Sequence, residues 1–340
     1  MHTRMVATTV PACILYCEMM NAVAATDLHG NARLYELLLQ IADTWKISSI
    51  FLAGDLAPTA VEPSGLGPDA VHGAIESQRA FYEQVFCPLF ESFLLDHRRT
   101  HVYAIMGNDD RRANETILFD FEAAVPNFRF VNNRIVELQD ARQVRTFFPN
   151  EVPQLAVAGY PYVPPGGGLL VDWVKHEDRV GLFPPGMDPC MTVEQSGIRT
   201  HEQRSETTIE EDLTDFARYL SGHAEDEPVD YEAERTIHLF HAPPYNTPLD
   251  QVAPQGRYDF LRRPEHIGST AIRRFIERCQ PPLVICGHCH EAVVLADYKT
   301  DIGDTRCVNP GSQEHIDVLS IVQFNVYEPT EMKQFFIHAR

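Results

Sequence analysis

The stretch Asn21-Ala22-Val23-Ala24-Ala25-Thr26-Asp27-Leu28-His29-Gly30 carries the first decision about this chain. Asn21 to Thr26 is an uncharged, small-residue run of strand length, which reads as a buried strand. Two metal-type side chains and a glycine follow it directly. The next segment puts Leu34, Leu37, Leu38, Ile41 and Trp45 on one helical stripe. Strand, ligand-bearing loop and amphipathic helix in that order are the repeating unit of an α/β core.

The unit recurs along the chain. Ser49–Ala53, His101–Met106, Thr236–Phe240 and Leu283–Cys286 are further strand candidates. The last follows a helix whose Ile272, Phe275, Ile276 and Cys279 share a face and whose N-cap is Ser269. Pro58–Pro68 reads as a Pro/Gly-rich loop, and Val71–His97 as a long helical region interrupted at Pro88. Ala292–Tyr298 and Val318–Tyr327 are expected to complete the sheets.

From Pro161 the composition turns to prolines, glycines and isolated aromatics, including Pro164-Pro165-Gly166-Gly167-Gly168. It then becomes acidic from Glu202 to Glu234, where Thr207 and Glu210 have the spacing of a capping box. We therefore expect one domain over residues 21–328 with an inserted lid or specificity region at 161–235. Residues 1–20 read as an N-terminal extension and 329–340 as a C-terminal tail. Within the first 20 residues, Val6–Tyr16 is apolar and Ala22-Val23-Ala24 offers small residues for cleavage, but a cut there would sever the first strand. Met19 or Met20 is a plausible native start.

Charge and cysteines narrow the function classes. The 340 residues carry 28 Lys and Arg against 48 Asp and Glu, a net charge of -20, so the field repels polyanions and bulk nucleic acid is not an expected partner. No apolar run reaches the roughly 18 residues of a membrane span. Eight cysteines scattered through a chain too large to need stapling point to a reducing cytoplasm.

Each predicted strand ends in a metal-type ligand: Asp27 and His29, Asp55 after Gly54, Asn108 after Gly107, His241, and finally His288 and His290. In open α/β sheets such residues gather at the C-terminal edges of the strands, so loops far apart in sequence converge. Two divalent ions about 3.5–4 Å apart need a shared anion and terminal donors on both sides, and two Asp, one Asn and four His supply them. Mixed oxygen and imidazole donors suit Mn, Fe or Zn better than Ca.

With these residues in order, Asp-x-His, Gly-Asp, Gly-Asn, His and Gly-His-x-His, the chain resembles the calcineurin-like metallophosphoesterases. The resemblance implies a four-layer α/β/β/α sandwich of two mixed β-sheets flanked by helices. It also implies that Asp27, His29 and His290 bind one metal, that Asn108, His241 and His288 bind the other, and that Asp55 bridges them. A hydroxide between the ions would then attack phosphorus in line, hydrolysing a phosphomonoester or phosphodiester of a small molecule or protein. Phe240-His241-Ala242-Pro243-Pro244 and Asn309-Pro310-Gly311-Ser312 also look like family signatures.

One position departs from the pattern. Members of the family commonly place His directly after the Gly-Asn, where it serves as proton donor, and this chain has Asp109, followed by Asp110. A carboxylate held against two cations favours its ionised form, which makes Asp109 a weak candidate for the acid. Arg111 and Arg112 are side candidates for holding substrate phosphate. Tyr160, Tyr162 and Trp173 read as anchors of the insertion rather than a substrate pocket. Cys286-Gly287-His288-Cys289 also matches a redox motif or half a zinc knuckle, but it lacks the following helix of the first and the second Cys pair of the second. The rival reading from another class is a metal-binding interaction scaffold of the same fold.

Overall fold

A computed structural model describes residues 21–59, 68–139, 155–165, 171–178, 190–194, 197–201, 207–220, 232–252 and 265–339. The expected N-terminal extension and most of the Pro58–Pro68 loop lie outside these residues. In chain order the described strands begin with β1 (Asn21–Ala25), β2 (Ser49–Ala53), β3 (His101–Ile105) and β4 (Phe128–Phe130). Next come β5 (Arg134–Glu137), β6 (Ala156–Tyr160), β7 (Cys190–Glu194), β8 (Gly197–His201) and β9 (Thr236–Phe240). The remainder are β10 (Gln251–Val252), β11 (Glu265–His266), β12 (Leu283–Ile285), β13 (Lys299–Ile302), β14 (Thr305–Val308), β15 (Val318–Asn325) and β16 (Glu328–His338).

Two six-stranded mixed sheets form the core, ordered β16-β15-β1-β2-β3-β4 and β13-β14-β12-β9-β6-β5. In the first, β1 to β4 are parallel; in the second, β6, β9, β12 and β14 are. Antiparallel strands cap both edges of the second sheet and the β16 edge of the first. The alternation of side chains along each strand explains the layering. Ala22, Ala24, Phe51, Ala53, Tyr103 and Ile105 point between the sheets, where they meet Val157, Ile237, Leu239, Leu283 and Ile285. Their neighbours Val23, Ala25, Ile50, Leu52, Val102 and Ala104 belong to the layer packed against helices, with Leu34, Leu38, Phe86 and Phe90. Strands buried on both faces have no polar alternation to show, which is why they read as continuous apolar runs.

Helices cover the outer faces. Ala32–Thr44 buries Leu34, Tyr35, Leu38, Leu39 and Ile41, and Thr270–Cys279 buries Ile272, Phe275 and Ile276. Ser269 caps the second, its hydroxyl accepting from Ile272 N–H at 3.1 Å. The long helical region runs Pro68–Phe81, a π-helical turn Tyr82–Phe86, and Cys87–Asp96. The wider turn sits just before Pro88, which has no N–H for the regular ladder.

Three expectations are corrected. Ala292–Tyr298 is not a strand: Ala292–Leu295 is a short helix, and the strand is β13 after it. The Gly303-Asp304 turn, with Gly303 at φ +62, fixes that hairpin and pairs Ile302 with Thr305. The predicted tail is β16, paired with β15 from Val318–His338 to Asn325–Glu328, an edge strand whose exposed face disguised it. The capping box is one residue later than expected. Thr208 N–H donates to Glu211 Oε2 at 2.9 Å and Glu211 N–H to the Thr208 hydroxyl at 3.2 Å, at the start of Ile209–Leu220.

His238 on β9 gives the fold a measurable acid sensitivity. Its ring lies between Phe240 and Phe275, with centroids 5.1 and 5.0 Å away, and neither nitrogen has a hydrogen-bond partner. Burial pushes its pKa down from 6.5 to about 3, so the folded state requires the neutral ring. The contribution is intact above the unfolded value and is lost as pH falls from 6.5 toward about 3. Between pH 7 and pH 5 the wild type should therefore lose about 2 kcal/mol more stability than His238→Leu in urea unfolding. Equal losses in the two proteins would assign the acid sensitivity elsewhere.

Candidate metal centre

The loops that leave β1, β2, β3, β9 and β12 are tied together by backbone hydrogen bonds at one edge of the sandwich. Asp27 N–H donates to Gly54 O at 3.1 Å, His29 N–H to Asp55 O at 3.0 Å and Gly30 N–H to Leu56 O at 2.8 Å. From the second sheet, His241 N–H reaches Tyr160 O at 3.0 Å and Gly287 N–H reaches His241 O at 3.0 Å. His288 N–H then donates to Asp27 Oδ1 at 3.0 Å, joining the first loop to the last.

Such close approach constrains the backbone. Asp27, His29, Asp55 and His288 all adopt left-handed φ, at 54, 42, 51 and 66°. Non-glycine residues hold that conformation at a cost of order 1–3 kcal/mol each, and such residues cluster at functional sites. Gly107 is required for space, because a Cβ there would collide with Asp55 and with the His241 ring.

The seven predicted side chains converge in two overlapping groups. Asp27, His29 and Asp55 each offer a ligand atom, all within 4.8 Å of one another. His290 joins this group, its ring centroid 5.8 Å from that of His29. Asn108 Oδ1 stands 3.0 Å from His241 Nε2 and 2.6 Å from His288 Nδ1. Asp55 Oδ2 lies between the groups, 3.8 Å from His29 Nε2 and 3.4 Å from His241 Nε2.

The donor set fits a cation. His241 Nδ1 is 2.8 Å from Ala53 O, a pure acceptor, so Nδ1 carries a hydrogen and Nε2 faces inward. There it meets Asp55 Oδ2 and Asn108 Oδ1, both acceptors. Asp27 Oδ2 is buried with no hydrogen-bond partner. Acceptor oxygens converging in a dry interior need positive charge among them, which a proton on His241 Nε2 supplies without a metal and which a bound cation would replace. Burial opposes charge on His241, yet the Asp55 and Asp27 carboxylates push its pKa up to about 9. Burial likewise opposes ionisation of Asp55, but His241 and His29 overcome it and hold its carboxyl well below the usual range. Asp27 is shifted up, burial outweighing the attraction of His241 and His290.

Beneath the ligands is a residue whose role the sequence left unread. Asp110 Oδ2 accepts from Leu56 N–H at 3.0 Å and Gly107 N–H at 2.8 Å, and its Oδ1 from Ala57 N–H at 2.7 Å and the Tyr82 hydroxyl at 3.0 Å. It clamps the Asp55 loop to the Asn108 loop. Burial pushes its pKa up to about 6. The signal was present as a second carboxylate after the Gly-Asn turn, where Asp commonly accepts from nearby backbone. Gln78 repeats the device, donating to Pro58 O and Asp109 O and accepting from Arg111 N–H.

Arg111 and Arg112 part company. Arg111 is buried, with Nε and Nη1 lacking hydrogen-bond partners. Arg112 places its guanidinium 5.1 Å from the centre of the Trp173 ring. Trp173 also donates to Asp110 O at 3.1 Å and Asp172 N–H to Asn108 O at 2.9 Å, so this segment is anchored on the ligand loop. Tyr160, Tyr162 and Trp173 contact one another in sequence, at 5.2 and 5.4 Å. Cys286 and Cys289 are free and buried, and burial raises both thiols well above their ordinary value, which argues against redox chemistry there.

Comparison with known proteins bears directly on this geometry. The model of the calcineurin-like phosphoesterase family matches residues 20–292. The chain belongs to that family. No curated protein matches it. Among solved structures, the protein TT1561 of Thermus thermophilus aligns over 94% of this chain and 99% of its own with TM-score 0.53 and 14% identity, a likeness of fold. Another aligns over 93% and 98% with TM-score 0.59 and 11% identity. Two expectations are borne out, the sandwich of two mixed sheets flanked by helices and the family itself. Among the described residues no helix is long and apolar enough to cross a membrane.

Asp110→Asn would present an amide N–H₂ to a ring of donors and should destabilise the protein by about 2–4 kcal/mol, with Tyr82→Phe costing about 1 kcal/mol. Urea unfolding of the metal-free protein measures both. An Asp110→Asn variant as stable as wild type would show that the two loops do not depend on this clamp.

Proposed function

We propose that this protein is a phosphoester hydrolase with two divalent cations, Mn, Fe or Zn, in which Asp27, His29 and His290 hold one and Asn108, His241 and His288 the other. Asp55 is the shared ligand. The observation that carries this reading is the place of Asp55 Oδ2 between His29 Nε2 and His241 Nε2, at 3.8 and 3.4 Å. Cations held by these residues would lower the pKa of water toward neutrality and neutralise charge developing on a phosphoryl group. The chain's own part is orientation: Ala53 O fixes the His241 tautomer and Asp109 N–H holds Asp55 Oδ1 at 2.8 Å.

The net charge of -20 favours a small-molecule or protein phosphoester over bulk nucleic acid. Free cysteines at 87, 279, 286, 289 and 307 support a cytoplasmic setting. The 161–235 insertion is assigned to specificity, with Arg112 stacked on Trp173 as one of its ties to the ligand loop. Arg111 is assigned to the substrate anion, since a buried guanidinium whose Nε and Nη1 lack partners is stabilised by negative charge.

Mn-loaded protein should hydrolyse an activated aryl phosphoester, and Asp55→Ala and His241→Ala should each reduce kcat/KM by on the order of a thousandfold. Wild-type rates in both variants would remove the assignment. Tight metal binding with no turnover across a broad phosphoester panel would favour an interaction scaffold of the same fold. In a separate measurement, Arg111→Met should raise KM about 10- to 100-fold with little change in kcat. An unchanged KM would return Arg111 to a purely structural part.

A further inference from the structure

We infer that Asp109, which stands where the family commonly places its proton donor, is a positioning residue that orients ligands on both sides of the centre. The inference rests on the dinuclear reading above. Asp109 is buried, and both its carboxylate oxygens accept hydrogen bonds. Oδ1 takes Asn108 Nδ2–H at 3.0 Å, which fixes the amide so that Asn108 Oδ1 faces His241 and His288. Oδ2 takes the Thr59 hydroxyl at 3.2 Å, and the same hydroxyl is 2.8 Å from His29 Nδ1. A hydroxyl has one hydrogen. Having given it to Asp109, Thr59 accepts from His29 Nδ1–H, which leaves the His29 Nε2 lone pair on the side of Asp55. His29 Nδ1 is also 3.7 Å from Asp109 Oδ2.

With the backbone N–H on Asp55 Oδ1, one residue thus reaches a ligand of the first group, one of the second and the shared one. Metal ligands depend on partners of this kind for orientation and basicity.

The test pairs metal binding with leaving-group dependence. Chelator-stripped wild type, Asp109→Ala, Asp109→Asn and Thr59→Val are titrated with Mn by calorimetry, and apo melts establish that each is folded. Asp109→Ala should bind Mn about 10–100-fold more weakly. Asp109→Asn should fall between, because its Oδ1 still accepts from Asn108, and Thr59→Val should weaken binding through the His29 side alone. Should Asp109→Ala fail to fold, the other two carry the test. Across a series of aryl and alkyl phosphoesters, the loaded wild type and Asp109→Asn should show the same dependence on leaving-group pKa. Wild-type Mn affinity in the Asp109 and Thr59 variants overturns the positioning role, and a steeper slope in Asp109→Asn makes Asp109 the acid. Wild type that takes up no Mn at all overturns the dinuclear reading itself, a result distinct from either.

Discussion

A carboxylate sealed between imidazoles is the constraint around which this molecule is arranged. Asp55 is only 3% exposed, and removing a carboxylate from water costs several kcal/mol unless the surroundings answer its charge. One oxygen is answered by the Asp109 N–H and the other faces two histidines. Keeping those groups together requires loops from two different sheets to approach more closely than ordinary side chains allow. Gly54 and Gly107 supply the room, and left-handed turns at Asp27, His29, Asp55 and His288 supply the direction. The strain is local and several residues around it hold it in place.

That support comes from how the parallel strands are layered. Because β1, β2 and β3 are parallel, as are β9 and β12, each sheet delivers its ligand loops to one end. Period-two burial then commits alternate residues to the inter-sheet layer and to the helices, leaving no freedom of register. Polar groups finish the job at the loops. Asp110 and Gln78 bind backbone from both sides of the Asp55–Asn108 contact. Farther out, Glu177 accepts from Ser269, Thr270 and Ala271 at the start of Thr270–Cys279, securing the 171–178 segment to that helix. Gln313 donates to His290 O and Asn31 to Asp317, holding the loop before β15 against the site.

The candidate positions could be picked out because they follow the ends of apolar runs, and a metal-type residue at the end of a buried strand is a local pattern. What escaped were features set by partners distant in sequence. Ala292–Tyr298 is apolar enough for a strand, but Val294 is 69% exposed and no neighbouring strand among the described residues pairs with that stretch. β16 looked like a tail because an edge strand with one wet face mixes Lys, Gln and Glu among its aromatics, and its Phe335 is fixed by Trp45 just past the first helix. Thr59 carries no local sign of its partner Asp109, and at Asp110 only the bond from Gly107 N–H is local, while those from Leu56 and Ala57 cross between loops about fifty residues apart. Convergence could be read from the sequence, whereas the groups that hold the converged residues in orientation could not.

Asp109 and Asp110 show how much one chemical choice at such a position decides. Adjacent in the chain, they serve opposite sides of the loop, Asp110 gathering backbone N–H groups and Asp109 gathering ligand side chains. A histidine at 109 would offer at most one acceptor nitrogen, so it could not hold Asn108 and the Thr59–His29 relay at once. Aspartate does both, and adds a third carboxylate to the Asp27–Asp55 pair. More negative charge strengthens attraction for cations and weakens it for an anionic substrate. The buried Arg111 guanidinium, two residues on and without hydrogen-bond partners at Nε and Nη1, opposes the second effect. One carboxylate in place of an imidazole thus both orients Asn108 and Thr59 and adds negative charge beside Asp27 and Asp55.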